Sequence, residues 1–251
     1  SIASLNLLSR YDLIITTGWK CKKLNNTLKR LKQLQPKLIN VCAVDNKLAS
    51  DLFLNIDNKF SHTFVKQAIG SLYFRFKLTS IYDYCFVPGN SSNRLMRFLG
   101  QKSHKIVYGY YGAHKDIYHP PENYNDKENS FLFVGQLINR KGISILLKAY
   151  SNYQAKGGKW NLKIIGGSFR QLESFLNNKF YSRIKHIPFC QPKDIALEMK
   201  KSKVFILPSI QDNWGTVTCE AAMCGCFLII SEESGSSSDL VKKGINGYTF
   251  N

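Results

Sequence analysis

With 251 residues, 44% hydrophobic and 13% aromatic, the chain is long enough for one large or two modest domains with separate cores. No apolar run approaches the roughly 20 residues of a membrane span, and seven cysteines without a C-x2-C pair read as reduced cytosolic thiols, with no metal site. Thirty-five Lys and Arg against 17 Asp and Glu give a net charge of +18, which favours anionic partners such as nucleotide diphosphates, acidic membranes or nucleic acid, although a lysine-rich source composition would give the same excess.

Ser1–Arg10 reads as the tail of a helix, and its opening residues show neither the basic start nor the long apolar core of a secretory signal. Tyr11–Ile15 is a predicted strand with Thr16–Trp19 as its exit. Leu24, Leu28, Leu31 and Leu34 recur at helical spacing, so Cys21–Gln35 is predicted helical with these leucines in the core. Pro36 stops that helix, and Leu38–Val44 is the next buried strand, with Asp45 at its exit. Asp51–Leu78 mixes Phe, Tyr, Lys and Arg. It reads either as an ordinary amphipathic helix or as one whose basic and aromatic face meets a membrane surface or an acceptor.

Tyr84–Gly89 reads as strand and turn. Ser91 is a candidate cap for a helix over Asn93–Leu99 that Gly100 closes, and His104–Tyr108 is the following strand. Gly109–His119 reads as a loop, in which His114 is a weak candidate base. Pro120–Asn129, charged and rich in turn formers, is the expected domain boundary. The expected organisation is therefore 1–119, a linker at 120–129, and 130–251.

A second series of strands and helices follows. Strands are predicted at Phe131–Gly135, Leu162–Ile165 and Ile184–Phe189. Helices are predicted from Arg140-Lys141-Gly142 onward with Ile143, Leu146, Leu147 and Tyr150 inward, at Phe169–Phe180, and at Pro192–Lys201 with proline at its start. Such alternation calls for a parallel sheet with right-handed crossovers, whose ligands sit beyond the carboxyl ends of the strands.

The most informative stretch is Val204–Ser231. Val204–Leu207 and Phe227–Ile230 are apolar on both faces, as buried parallel strands are. Between them, Gln211–Gly215 feeds a helix over Thr216–Cys224, with Thr216 as candidate cap and Gly225 suited to the left-handed position past its end. The free N–H groups at such a helix start attract phosphate. Asp212 and Glu220 frame this anion site and suit the hydroxyls of the sugars on either side of a diphosphate. Upstream, Gly135 at a strand end permits close approach of a ligand to the backbone, and Arg140-Lys141 supply cations.

These residues resemble the retaining nucleotide-sugar glycosyltransferases of GT-B fold, sequence family four (glycosyltransferase group 1). The resemblance rests on Asp212, seven residues, then Glu220, with Trp214-Gly215 between and Glu220-Ala221-Ala222-Met223 following. It extends to Phe133-Val134-Gly135 with Lys141-Gly142, to Gly112-Ala113-His114 in place of the family's Gly-Val-Asp loop, and to the closing turn at Gly244–Gly247. Two departures stand out: the family's first Glu is Asp212 here, and the Arg after the strand glycine is Gln136.

The resemblance implies an α/β protein with two Rossmann-like domains whose parallel sheets face across a cleft. The N-terminal domain is expected to be incomplete and the chain truncated at both ends. It implies Asp212, Glu220 and Lys141 as catalytic residues. A donor site would be formed by Gly135, Gln136, Arg140, Lys141, Asp212, Asn213, Trp214, Gly215, Thr216, Val217, Thr218 and Glu220. It also implies no metal, no cofactor beyond the nucleotide-diphosphate sugar, a glycan or lipid-linked acceptor, and a cytoplasmic enzyme in peripheral contact with an anionic membrane face. The competing readings are a sugar-nucleotide binder with weak or no transfer and a GT-B enzyme of another reaction type, such as an epimerase. A nucleic-acid binder driven by the charge is the third, and it lacks a recognisable motif.

Overall fold

The computed structural model describes residues 7–45, 69–70, 72–176 and 183–251. The chain divides into two compact units, Ser1–Tyr110 and Tyr111–Asn251.

In the first unit four parallel strands lie in sequence order: β1 (Leu13–Thr17), β2 (Ile39–Ala43), β3 (Tyr84–Pro88) and β4 (Ile106–Gly109). Right-handed crossovers through strands taken in consecutive order place every connection on the same face. The described connections pack there: α1 (Lys22–Leu34), the helical segment ending in the wide turn Phe74–Leu78, and α2 (Asn90–Phe98). Leu28, Leu31, Phe74, Leu78, Leu95 and Met96 meet Ile14, Cys42, Cys85 and Val87 in one core. Alternation along the strands leaves Leu13, Ile15, Ile39, Tyr84 and Val107 exposed on the opposite face.

Two expectations change here, and a third is reached only in part. Leu34, expected in the core, is exposed and falls on the last residue of α1. Ser91 does not cap α2: the helix starts earlier, after Gly89 at φ 88°, and Ser91 is buried in its first turn. Of the helix expected over Asp51–Leu78, residues 51–68 and 71 lie outside the described residues.

The second unit is a six-stranded parallel sheet in the order β10-β9-β8-β5-β6-β7. Its strands are β5 (Glu128–Val134), β6 (Asn161–Ile165), β7 (Ile184–Ile187), β8 (Ser202–Leu207), β9 (Phe227–Ser231) and β10 (Gly247–Phe250). The chain runs outward through β6 and β7, then returns to place β8 on the other side of β5. The strand order therefore reverses between β5 and β8, and a crevice forms at their carboxyl ends.

Helices α3 (Ile143–Ala155) and α4 (Phe169–Glu173) accompany one face, where Phe133, Ile143, Leu146, Leu147, Leu162 and Ile164 form a core. On the other face α5 (Pro192–Lys201) and α6 (Thr216–Met223) close over Leu132, Phe205, Leu207, Leu228 and Ile230. A short helix, α7 (Ser237–Leu240), precedes β10. Proline stands at the first position of α5 as expected, and two lysines lie in its last turn, where the helix dipole favours positive charge.

The predicted linker at 120–129 is built into the second unit, and the division falls earlier, at Tyr110–Tyr111. Lys127 explains why. Its ammonium is buried and donates to the carbonyls of Met199 (3.0 Å) and Ser202 (2.9 Å), so it ties the end of α5 to the start of β8. Burial lowers its pKa below the ordinary lysine value.

Candidate active site

The two motifs leave the sheet from the two strands that flank the reversal. After β5, Gly135 continues the ladder by donating to the Ile165 carbonyl (3.0 Å), and Gln136 is exposed. Leu137 is buried and anchors the loop. Asn139–Lys141 form a single tight turn, and Gly142 takes φ 72° before α3 begins. A Cβ on Gly142 would stand 1.7 Å from the Pro208 carbonyl oxygen, so the backbone here presses on the exit of β8.

Arg140 and Lys141 are both fastened to that exit. The Arg140 carbonyl accepts from Ile210 N–H (2.9 Å), and its guanidinium donates back to the Gln211 carbonyl (2.9 Å). The Lys141 ammonium donates to Asp212 Oδ2 at 2.5 Å, with both side chains mostly buried. Arg140 therefore staples the two loops, an arrangement that its sequence position does not reveal.

Asp212 is held from its other side by the turn after β9. Its N–H donates to Glu233 O (3.1 Å), and its carbonyl accepts from Gly235 N–H (3.0 Å). Ser234 Oγ donates to the Trp214 carbonyl (3.1 Å), which also accepts from Ser236 N–H (2.9 Å). Asn213 O lies so close to Gly235 that a Cβ there would stand 1.8 Å away. Trp214 is buried beneath the loop. The Ser234–Ser236 run, unassigned from sequence, thus shapes the loop that presents Asp212.

The cap of α6 differs from expectation. Thr216 is exposed, and the N-cap is Gly215 at φ 79°, with no side-chain cap. The Gly215 carbonyl accepts from Thr218 N–H (2.9 Å). Thr216 and Val217, as the first two helical residues, have N–H groups with no intrahelical acceptor. Thr218 is fully buried, and its hydroxyl has no hydrogen-bond partner. A Cβ on Gly215 would lie 3.5 Å from Asp212 Oδ2, so the helix start and the carboxylate are neighbours.

Glu220 sits one turn down α6 and is half-buried. Burial pushes its carboxyl above the usual range, and a hydrogen bond from the Tyr118 hydroxyl pulls it partly back. Tyr118 is buried; burial and the Glu220 charge push its phenol up in turn. No local pattern marks Tyr118, since its partner lies about 100 residues away in the sequence. His114 is exposed, with Nδ1 3.8 Å from Asp116 Oδ2.

Lys141 and Asp212 are thus in direct contact, with Arg140, Gly215 and the start of α6 beside them. Among the described residues no group of three or more His, Cys, Asp or Glu is arranged to hold a metal ion. No helix among them is long and apolar enough to cross a membrane.

Residues 114–251 match the family described as glycosyl transferases group 1. Over 127 residues, 49% of this chain, the sequence is 28% identical to an uncharacterized glycosyltransferase of Haemophilus influenzae, covering 35% of it. Over the same length it is 24% identical to one of Methanocaldococcus jannaschii, covering 32% of it. The chain therefore spans about a third of the length of these curated relatives. Among solved structures, Anabaena HepE in complex with UDP and glucose superposes with a TM-score of 0.72 at 15% identity. That match covers 100% of this chain and 67% of HepE, and it shows the shared GT-B fold.

Proposed function

The chain belongs to the group 1 glycosyl transferases, and from that premise we propose that it moves a sugar from a nucleotide-diphosphate donor to a hydroxyl acceptor, with retention of anomeric configuration. The observation that carries this reading is the Lys141–Asp212 contact beside the open N-terminus of α6.

The donor diphosphate lies against the Thr216 and Val217 N–H groups, where the helix dipole favours negative charge. A lysine ammonium has three donors. One is used by Asp212, and the others meet the diphosphate. As the bond to the anomeric carbon breaks, negative charge grows on that diphosphate, and these donors stabilise it without a resident metal. Asp212 uses Oδ2 for Lys141 and turns its other oxygen to the donor sugar hydroxyls. Glu220 accepts from the ribose hydroxyls. Gln136 adds a neutral donor where the resembled pattern has a cation, so the helix amides carry a larger share of the diphosphate.

The acceptor is a glycan or lipid-linked hydroxyl bound by the first unit. That unit exposes Ile69, Leu72, Tyr73 and Phe76 on the segment that also carries Arg75 and Lys77. Apolar and cationic side chains on one helical segment suit the surface of an anionic membrane, and the enzyme works at the cytoplasmic membrane face. Co-sedimentation with anionic vesicles but not with zwitterionic ones supports this contact; equal recovery with both refutes it.

The test of the reaction is a melting-temperature screen against nucleotide sugars, followed by proton NMR of the product made from the best donor. Retained configuration with that donor, and its loss in Lys141→Ala, support the reading. An inverted product, or stabilisation by no nucleotide sugar, refutes it. Gln136 and the Lys141–Asp212 pairing, which offsets the charge of the lysine nearest the helix start, favour a second reading: a sugar-nucleotide binder that does not transfer. Donor hydrolysis in the absence of acceptor separates the two.

A further inference from the structure

We propose that the second unit carries a further ligand site, at the amino ends of its strands and so at the opposite end of the sheet from the donor site. Its ligand is a phosphomonoester borne on a ring: a sugar phosphate or a nucleoside monophosphate.

A cavity of about 770 Å3 opens there, within the roughly 300–1,000 Å3 of small-molecule sites. Its walls come from the stretch before β5 (Tyr124, Lys127), the residue before β6 (Trp160), the start of β8 (Lys203) and the start of β9 (Cys226, Phe227). The Lys141–Asp212 contact lies beyond the carboxyl ends of the same sheet. No residue assigned to the donor site lines this cavity.

Lys127 makes the cavity one for an anion. Its side chain is 6% exposed, and no carboxylate among the described residues forms an ion pair with it. An ammonium has three donors. Two go to the Met199 and Ser202 carbonyls, which are dipoles rather than charges. The third has, among the described residues, only Cys226 Sγ at 4.0 Å, and a thiol is a weak acceptor. Cys226 Sγ lies against the same two carbonyls, at 3.1 and 3.5 Å, and burial keeps it a neutral thiol by pushing its pKa up to about 12. A buried cation without an anion is costly. An anionic ligand in the cavity that Lys127 and Cys226 both line supplies the missing charge.

Lys203 adds a second cation. It is half-buried, its ammonium donates to the neutral Asn129 Oδ1 at 2.7 Å, and it stands 6.0 Å from the centre of the Trp160 ring. Two ammonium groups and no acidic side chain line the cavity, so its charge matches a dianion. A phosphomonoester carries close to two negative charges near pH 7 and three acceptor oxygens, whereas a carboxylate carries one charge. Trp160, Tyr124 and Phe227 add an aromatic wall. Tyr124 is 54% exposed, and its ring is seated on Gly225, where a Cβ would stand 2.6 Å from it. Aromatic walls of this kind take a base or the C–H face of a sugar. The site therefore calls for a ring as well as a phosphate.

The experiment is calorimetric titration of the chain, saturated beforehand with UDP, with glucose 1-phosphate and with AMP; inorganic phosphate and glucose are the controls. It is run on the unaltered protein, Lys203→Gln, Lys127→Met and Lys141→Ala, with thermal melts as the check on folding. One ester is expected to bind about tenfold or more tightly than inorganic phosphate, and glucose not to bind. The tighter ester identifies the source of the phosphate. Lys203→Gln is expected to weaken that ester about tenfold, Lys127→Met to weaken it further, and Lys141→Ala to leave it unchanged. If Lys127→Met does not fold, Lys203→Gln alone decides. The inference is overturned if neither ester binds, if inorganic phosphate binds as tightly as both, or if Lys203→Gln keeps the full affinity. Loss of ester binding in Lys141→Ala also overturns it, since the ester then occupies the donor site. Ester binding that needs Lys203 in a chain that binds no UDP upholds this site while the donor site falls.

Discussion

Replacing Gly142 by alanine tests whether the contact between the β5 and β8 exit loops holds the donor site together. The substitution has two separable costs. Gly142 sits at φ 72°, where a residue with a Cβ loses about 1–2 kcal/mol. The new Cβ would also stand 1.7 Å from the Pro208 carbonyl oxygen and 2.6 Å from its carbon, both backbone atoms that cannot swing aside. Relief requires the loops to part by roughly 1 Å, which in a close-packed setting costs a further ~1–3 kcal/mol. The same movement pulls Lys141 from Asp212 and Arg140 from Gln211. Gly157→Ala is the control, because Gly157 has φ 85° and nothing within 4 Å of the added carbon. Denaturant unfolding should show Gly142→Ala less stable than Gly157→Ala by about 1–3 kcal/mol. UDP affinity, read by calorimetry, should fall only in the former. Equal stability of the two variants, or full UDP affinity in Gly142→Ala, refutes the reasoning.

Asp212→Asn removes the negative charge that faces a mostly buried lysine; we expect turnover with the best donor to fall about 100-fold or more, and initial rates at saturating donor check this. Glu198 is pushed up by burial but held below the usual carboxylate range overall by Lys163, Lys185 and Lys201. Its contribution to stability is present above its unfolded value of 4.5 and is lost as the pH falls through the lower folded value. Lys163, buried between Glu198 (2.8 Å) and Glu128 (2.9 Å), should cost about 3–5 kcal/mol as Lys163→Met, and this variant should flatten the acid loss seen in denaturant unfolding. Glu220 runs the other way: its folded value is raised, so its ionised form disfavours the fold above pH 4.5. Glu220→Gln should therefore melt higher than the unaltered chain at pH 7 while losing UDP affinity, as scanning calorimetry and titration would show.

What the sequence made legible was whatever is encoded by neighbours in the chain. α5 is predicted at its observed bounds, and Pro192 marks its start locally. Gly225 was assigned left-handed past α6 and has φ 69°. The inward set Ile143, Leu146, Leu147 and Tyr150 follows from helical spacing alone, and all four are buried. Features decided by distant partners were misread. Composition marked 120–129 as a linker, yet Lys127 is buried by carbonyls more than 70 residues away. Thr216 was the better cap by residue type. The loop, however, is bent by Ser234–Ser236 so that Gly215 takes the cap position.

The candidate site lies between these extremes, and the strand order explains why. Gly135, Lys141, Asp212 and Glu220 were singled out one by one because each belongs to a loop or helix start at the end of a strand. The meeting of Lys141 and Asp212 needed a fact no window of sequence contains: β8 returns to the far side of β5. Any loops at two adjacent carboxyl ends would be neighbours. Only a glycine whose Cβ would strike Pro208 O lets these two touch, and only then does a lysine reach an aspartate 71 residues on. Arg140 shows the same dependence. Its charge and its place beside Lys141 suggest a phosphate ligand, and the structure adds that its guanidinium donates to the Gln211 carbonyl. A cation's role in this site is thus decided by which atoms the β8 exit offers it. For Lys141 that exit offers a carboxylate with one oxygen left over, and for Arg140 only backbone.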